Sequence, residues 1–162
     1  MAKLSGNVAV VTGGSRGVGK GIALGLGEAG ATVYVTGRTT KEGTDVENLG
    51  GTVCVTAEQV TAIGGRGIAV VCDHRDDSQT EKLFEHVKEE QGRLDILVNN
   101  AWGGYERMEH DGEFTWLKSF WEQPFWRWDA MFQGGVRAAY VASALSARML
   151  IEKRNGWIGN IS

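Results

Sequence analysis

A chain of 162 residues is about one domain and is long enough to bury a core. Its 42% hydrophobic and 23% charged residues suit an ordinary globular protein, and a net charge of -3 gives no basic footprint for nucleic acid. Cys54 and Cys72 form no C-x-x-C pair and no ligand cluster, no run nears the roughly 18 apolar residues of a membrane span, and Met1 to Gly6 lacks a signal's apolar segment; disulfides, a bound metal and a membrane are therefore not expected, and a cytoplasmic protein is.

The first predicted strand is Asn7 to Val11, an almost continuous apolar run of the kind buried on both faces of a parallel sheet. Thr12-Gly13-Gly14-Ser15-Arg16-Gly17-Val18-Gly19 follows, and then a predicted helix from Lys20 to Ala29 stopping at Gly30. A strand, a glycine-rich turn and a helix in this order form a dinucleotide-binding fingerprint. Gly13 can take a positive φ where the strand ends, Gly17 lets the backbone approach a pyrophosphate, and Gly19 lets the helix pack close. The free N–H groups of the helix start then face the phosphates. Ser15, Arg16 and Val18 lie in the same turn and share that pyrophosphate role.

Thr32 to Thr36 is a second, β-branched strand, completing a βαβ unit. A polar stretch from Thr39 to Gly51 reads as a surface loop. Helical spacing of Val53, Ala57, Val60 and Ile63 follows, ended by Gly64-Gly65. Gly67 to Cys72 is a third strand, expected to be buried, and Asp73 to Asp77 follows it. Ser78 and Glu81 form a capping-box pattern for a helix with Leu83, Phe84 and Val87 on one face, ending at Gly92. Leu94 to Val98 is the fourth strand and runs into Asn99-Asn100-Ala101-Trp102.

The stretch Gly103 to Trp128 breaks this rhythm with Tyr105, Phe114, Trp116, Phe120, Trp121, Phe125, Trp126 and Trp128. It reads as an aromatic plug between helices or an oligomer contact, with a substrate-pocket wall as the sharper alternative. Asp129 to Lys153 is predicted as one long helix whose small residues suit a homo-oligomer contact, and Trp157 to Ser162 as the fifth strand. The sum is one α/β domain over residues 1–162, a doubly wound parallel sheet of the Rossmann type, incomplete on its C-terminal side.

The nucleotide is read from the end of the second strand, where an Asp or Glu would bind a ribose 2′-hydroxyl and repel a 2′-phosphate. Gly37 fills that slot, Arg38 follows, and Arg16 lies in the turn. Two guanidiniums with no acid between them favour NADP(H) over NAD(H). Asp73 could hold the adenine amino group, or it could be a helix-start carboxylate.

Taken together these residues resemble the short-chain dehydrogenase/reductase family from Asn7 to Ser162. Thr12-Gly13-x-x-x-Gly17-x-Gly19 matches its cofactor turn, Asp73 its adenine-contacting acid, and Asn99-Asn100-Ala101 its Asn-Asn-Ala-Gly, while Asn160-Ile161-Ser162 is similar to the start of its catalytic-serine strand end. The Asn-Asn-Ala-aromatic variant and the tryptophans are most similar to the dehydrogenase/reductase member 1 group. The resemblance implies Asp73 and His74 at the adenine, Asn99 and Ala101 on the ribose side, and Ser162 as neighbour of the catalytic serine. Where the family usually places a relay asparagine this chain carries Gly135. The family's chemistry uses a Tyr-x-x-x-Lys pair, yet four residues after Tyr34, Tyr105 and Tyr140 stand Arg38, Glu109 and Ala144.

The leading expectation is the cofactor-binding N-terminal portion of an NADP(H)-dependent oxidoreductase, cut short before that pair, moving hydride between a nicotinamide and a small carbonyl or alcohol substrate. The alternative is a non-catalytic dinucleotide-binding or interaction module complete at 162 residues.

Overall fold

A computed structural model of the chain describes residues 2–41, 50–104, 109–110 and 113–162. Most of the expected 39–51 loop, and Tyr105 in the aromatic stretch, lie outside the described residues. Strands β1 (Val8–Val11), β2 (Thr32–Gly37), β3 (Arg66–Val71), β4 (Ile96–Asn99) and, after the short strands described below, β7 (Trp157–Asn160) form one parallel sheet in the order β3-β2-β1-β4-β7. The register sets Val10 beside Tyr34 and Leu97, and Asn99 beside Asn160.

Alternation of side chains along these strands divides the core into two layers. Ala9, Val11, Val33, Val35 and Val98 face helices α1 (Gly17–Glu28) and α2 (Val53–Ala62) through Ala23, Ala57 and Val60. Val8, Val10, Tyr34 and Leu97 face α3 (Asp77–Gln91) and, on the far helix, Ala142, Met149 and Leu150. Helices therefore cover both faces, and the doubly wound architecture expected from the sequence is the one found. Tyr34 is wholly buried, its hydroxyl donates to Glu90, and burial with that bond pushes its pKa up to about 12.

Several local expectations need correction. β3 is an edge strand with half-exposed residues, because only β2 flanks it. Helix α1 starts at Gly17 rather than Lys20, and β7 ends at Asn160 rather than Ser162. Ser78 does not cap α3. Asp76 does, two residues earlier, its carboxylate accepting from the Ser78 and Gln79 backbone N–H groups, since the helix already begins at Asp77 and a carboxylate suits its N-terminus. Of the two cysteines Cys72 is buried and Cys54 is exposed.

The aromatic stretch contains a two-residue antiparallel pair, β5 (Glu109–His110) and β6 (Glu113–Phe114), and two 3-10 turns, Thr115–Leu117 and Phe120–Glu122. The single helix expected over 129–153 starts earlier, at Phe125, and is three pieces: α4 (Phe125–Met131), a π-helical turn (Phe132–Arg137) and α5 (Ala138–Lys153). Pro124 sets the early start, since its fixed φ suits a helix entry. The π turn lies where Gly134 meets Gly103 backbone to backbone; a Cβ at Gly134 would stand 2.8 Å from the Gly103 Cα.

Candidate functional site

The chain reverses direction at Thr12–Arg16 between β1 and α1, at the C-terminal edge of the sheet, and backbone contacts hold it there. Gly13 has φ +66 and Gly17 φ +53, the left-handed region that glycine occupies without strain. A Cβ at Gly13 would stand 2.9 Å from the Ala101 Cα, and one at Gly19 would overlap the Asn100 amide and the Gly13 carbonyl oxygen. At Gly17 a Cβ would meet nothing within 4 Å, so this glycine faces open space. Gly17 and Val18 are exposed at the start of α1, whose first N–H groups have no intrahelical partner. That is the cradle a pyrophosphate requires.

The end of β4 locks the turn in place. The Thr12 hydroxyl accepts from the Asn100 and Ala101 backbone N–H groups, both at 2.9 Å. Asn100 Nδ2 donates to the Thr12 and Gly13 carbonyls, both at 3.0 Å. Gly14 N–H reaches Thr36 O at 2.9 Å, tying the turn to β2 as well. Asn100 and Thr12 were not among the candidate site residues, although both stand inside the quoted motifs.

Asn99 turns the other way. It is buried, and its Nδ2 donates to Ser143 Oγ on α5 and to Asn160 Oδ1 on β7, both at 2.9 Å, while its carbonyl accepts from Ile161 N. Its amide therefore braces the sheet, and its Oδ1 is buried without a partner. Ala101 stands half-buried beside the turn, and Ser162 is exposed two residues beyond β7.

At the end of β2, Gly37 leaves the acid slot empty; a Cβ there would come 3.2 Å from Val53 on α2 and 4.0 Å from Ser15 Oγ. Arg16 Nη2 donates to Thr39 Oγ1 at 2.9 Å and Nε reaches Ser15 Oγ at 3.4 Å. Arg38 is exposed. Burial raises the Asp73 pKa, but hydrogen bonds from Arg75 and the fields of Arg75 and Arg38 outweigh it and hold the carboxyl below its ordinary value. Arg75 grips Asp73 through Nε at 3.0 Å and Nη2 at 2.6 Å, a neighbour sequence reasoning did not pair with it.

His74 lies deeper. Its ring is buried, with Nε2 2.7 Å from Thr36 Oγ1 and Nδ1 3.7 Å from the Cys72 sulfur. Thr36 Oγ1 donates in turn to Val11 O at 3.3 Å, so a polar chain links the ends of β3, β2 and β1. Burial pushes the imidazole down to about 4, partly opposed by Asp73, and pushes the Cys72 thiol up to about 11. The ring serves the scaffold.

The aromatic stretch stands at the same edge of the sheet. Trp102, the residue after Ala101, packs edge-on against Trp116 with centroids 5.5 Å apart, and Gly135 leaves it room, a Cβ there falling 3.1 Å from Trp102 Cδ1. An asparagine at 135 would press on that ring, which would have to give by a few tenths of an ångström. Arg127 on α4 is buried, its guanidinium 5.9 Å from the Trp116 ring centroid and 5.3 Å from that of Trp126. Its Nη2 donates to Thr115 Oγ1, and its Nε is buried with no acceptor. Cation–π contacts are worth about 1–2 kcal/mol each, against a cost of several kcal/mol for desolvating a charge. Neighbouring Gln123 donates to the Thr115 and Lys118 carbonyls and leaves its own oxygen buried and unpaired. Arg127 was not a candidate in the sequence, though its place inside Trp126-Arg127-Trp128 was a visible signal. Other rings of the stretch, Phe120, Trp121 and Phe125, are largely exposed, so it is not a buried plug.

The family model described as short chain dehydrogenase matches residues 7–162. The chain belongs to the short-chain dehydrogenase/reductase family. Among curated relatives of this family it is 42% identical over its whole length to dehydrogenase/reductase SDR family member 1 of Mus musculus and 43% identical over 99% of its length to the Homo sapiens protein. It spans 48% and 47% of those two proteins, about half their length. A crystal structure of a putative dehydrogenase from Xanthomonas campestris matches 99% of this chain, and 54% of its own, with TM-score 0.84 and 31% identity. A metagenomic short-chain oxidoreductase solved in complex with NADP matches 99% of this chain, and 63% of its own, with TM-score 0.75 and 32% identity. Proteins of the short-chain dehydrogenase/reductase family are oxidoreductases that use nicotinamide cofactors and small-molecule substrates. Among the described residues no helix is long and apolar enough to cross a membrane, and no group of His, Cys, Asp and Glu could hold a metal ion.

Proposed function

We propose that this chain binds NADP(H) and forms the cofactor-holding part of an oxidoreductase that interconverts a small carbonyl compound and its alcohol. The observation that carries the nucleotide choice is the end of β2, where Gly37 stands in the acid slot with Arg38 beside it and Arg16 across from it. An acid at 37 would repel a 2′-phosphate; two guanidiniums with fork geometry attract it. A solved relative with 32% identity holds NADP, which supports the same choice.

In this reading Gly13, Ser15, Arg16, Gly17, Val18 and Gly19 carry the pyrophosphate on their backbone N–H groups and the start of α1. Arg38 and Arg16 take the 2′-phosphate, Asp73 takes the adenine amino group when Arg75 yields one of its bonds, and His74 supports the adenine side from beneath. Asn99 and Ala101 lie on the ribose side, Asn99 by its main chain, and Ser162 is a neighbour of the catalytic serine. When bound, the cofactor supplies a hydride donor or acceptor at its nicotinamide.

The test is titration of the chain with NADPH and with NADH, repeated with Arg38→Asp. NADPH should bind more tightly, and the substitution should weaken it about 100-fold while sparing NADH, since a charge-assisted bidentate contact becomes a repulsion. Equal or tighter NADH binding by the unaltered chain overturns the NADP(H) assignment.

A further inference from the structure

We propose that Arg127 is the anchor for a carboxylate on the substrate, with Trp116 and Trp126 as the walls of its pocket. The proposal rests on the cofactor reading above for its position relative to the reaction, and on the guanidinium's own surroundings for its chemistry.

Four other arginines of the chain, Arg66, Arg75, Arg93 and Arg137, each pair with a carboxylate, and each keeps 38–59% of its side-chain surface exposed. Arg127 reverses that pattern. It is the one buried arginine among the described residues, 8% exposed, and no described carboxylate pairs with it. Burial lowers its pKa, and no charge among the described residues opposes that shift. Buried guanidiniums are ordinarily matched by an anion. The two indoles attract the charge but give Nε no acceptor, and the Thr115 hydroxyl satisfies a single N–H group. Nε remains a buried donor in want of a bond.

The position suits a substrate. Trp116 packs on Trp102, the residue that follows Ala101 at the end of β4, and α4 rests on Gly103, whose Cβ would overlap the Ala130 carbonyl. Two indole rings, Trp116 and Trp102, thus link the guanidinium to the residues assigned to the ribose side. Among the described residues, a single cation with one hydroxyl beside it matches a monoanion that takes a bidentate fork, which is a carboxylate's geometry. A phosphate dianion calls for more donors than the described residues of this corner offer.

The test follows the arginine Nε–H resonances of the folded chain by nuclear magnetic resonance while benzoate, neutral benzamide or inorganic phosphate is added, with and without NADPH. Benzoate should shift the Arg127 Nε–H signal saturably, benzamide should not, and binding should fall roughly tenfold or more in Arg127→Met and much less in Arg127→Lys. No shift with benzoate in a chain that binds NADPH overturns the anchor and leaves the cofactor reading standing. A benzoate shift in a chain that does not bind NADPH upholds the anchor and removes the cofactor reading. An equal shift with benzamide, or tighter binding of phosphate, overturns the carboxylate assignment without recourse to any variant.

Discussion

The glycine turn and the tryptophan-rich stretch flank the same edge of the sheet and are built on opposite principles. In the turn the polar groups find partners: Thr12, Asn100, Gly13 and Gly14 exchange bonds of 2.9–3.0 Å across three strands. Side chains are absent where backbones must touch. In the stretch the backbone is broken into short turns, the rings are half in solvent, and Gln123 and Arg127 hold buried atoms with no partner. Polar satisfaction separates the turn itself from the stretch, while Asn99 beside the turn keeps one buried oxygen unpaired. A cradle for a constant ligand part can be complete before the ligand arrives, whereas a wall meant for a variable part keeps groups in reserve.

Substitutions that press on the turn should show the largest effects. Gly19→Ala places a methyl group inside the Asn100 amide and the Gly13 carbonyl, and one of these is backbone that cannot swing aside. A destabilisation of at least about 3 kcal/mol is expected, together with loss of measurable NADPH binding. Urea unfolding and nucleotide titration of the variant check both; a change below about 1 kcal/mol would show the turn to be softer than its contacts imply. Asn100→Ala should come next. It removes two hydrogen bonds and strands the Thr12 and Gly13 carbonyls, for about 2 kcal/mol in the same unfolding measurement.

These contrasts also explain how much could be read from the chain alone. The five sheet strands, the helix between each pair and the turn were legible because each follows from a local rule: an apolar run for a buried strand, periodic spacing for a helix, glycine for a positive φ. The length of the helix over 129–153 was not, since its π turn is set by Gly103, about thirty residues away in the chain. The sequence places His74 at the adenine only through the family resemblance; that its ring turns inward to Thr36 depends on the pairing of β2 with β3, a tertiary fact. The burial of Arg127 was hidden for a like reason, although its place between two tryptophans was visible. Composition marks an aromatic stretch, but which of its cations is buried is decided by packing.

The buried imidazole makes the scaffold beneath the turn sensitive to acid. His74 takes up a proton at about 4 in the folded chain, where burial opposes the charge, and at about 6.5 when unfolded. Its contribution is complete above about pH 6.5 and is lost as the pH falls toward 4, because in that window the unfolded state binds the extra proton. The slope is about 1.4 kcal/mol per pH unit, or about 2 kcal/mol by pH 5. Unfolding free energies from urea titration at pH 7.5 and pH 5 should differ by that much more in the unaltered chain than in His74→Gln. Equal pH dependence in the two would mean that the ring is hydrated and outside the scaffold.

The smallest expected effect has the opposite sign and puts the comparison at risk most directly. Arg127→Met keeps a long stem against Trp116 and Trp126 and removes the charge. It forfeits two cation–π contacts and one hydrogen bond to Thr115, and it removes the desolvation cost of an unmatched guanidinium. The balance should be a gain of about 1 kcal/mol in unfolding free energy, with NADPH affinity unchanged. A gain would mean that Arg127 is retained at the expense of the fold, as a ligand-binding group can be, while each substitution in the turn loses stability and cofactor together. A loss of 1 kcal/mol or more would place Arg127 among the structural residues, and the tryptophan-rich stretch would then be as settled as the turn it faces.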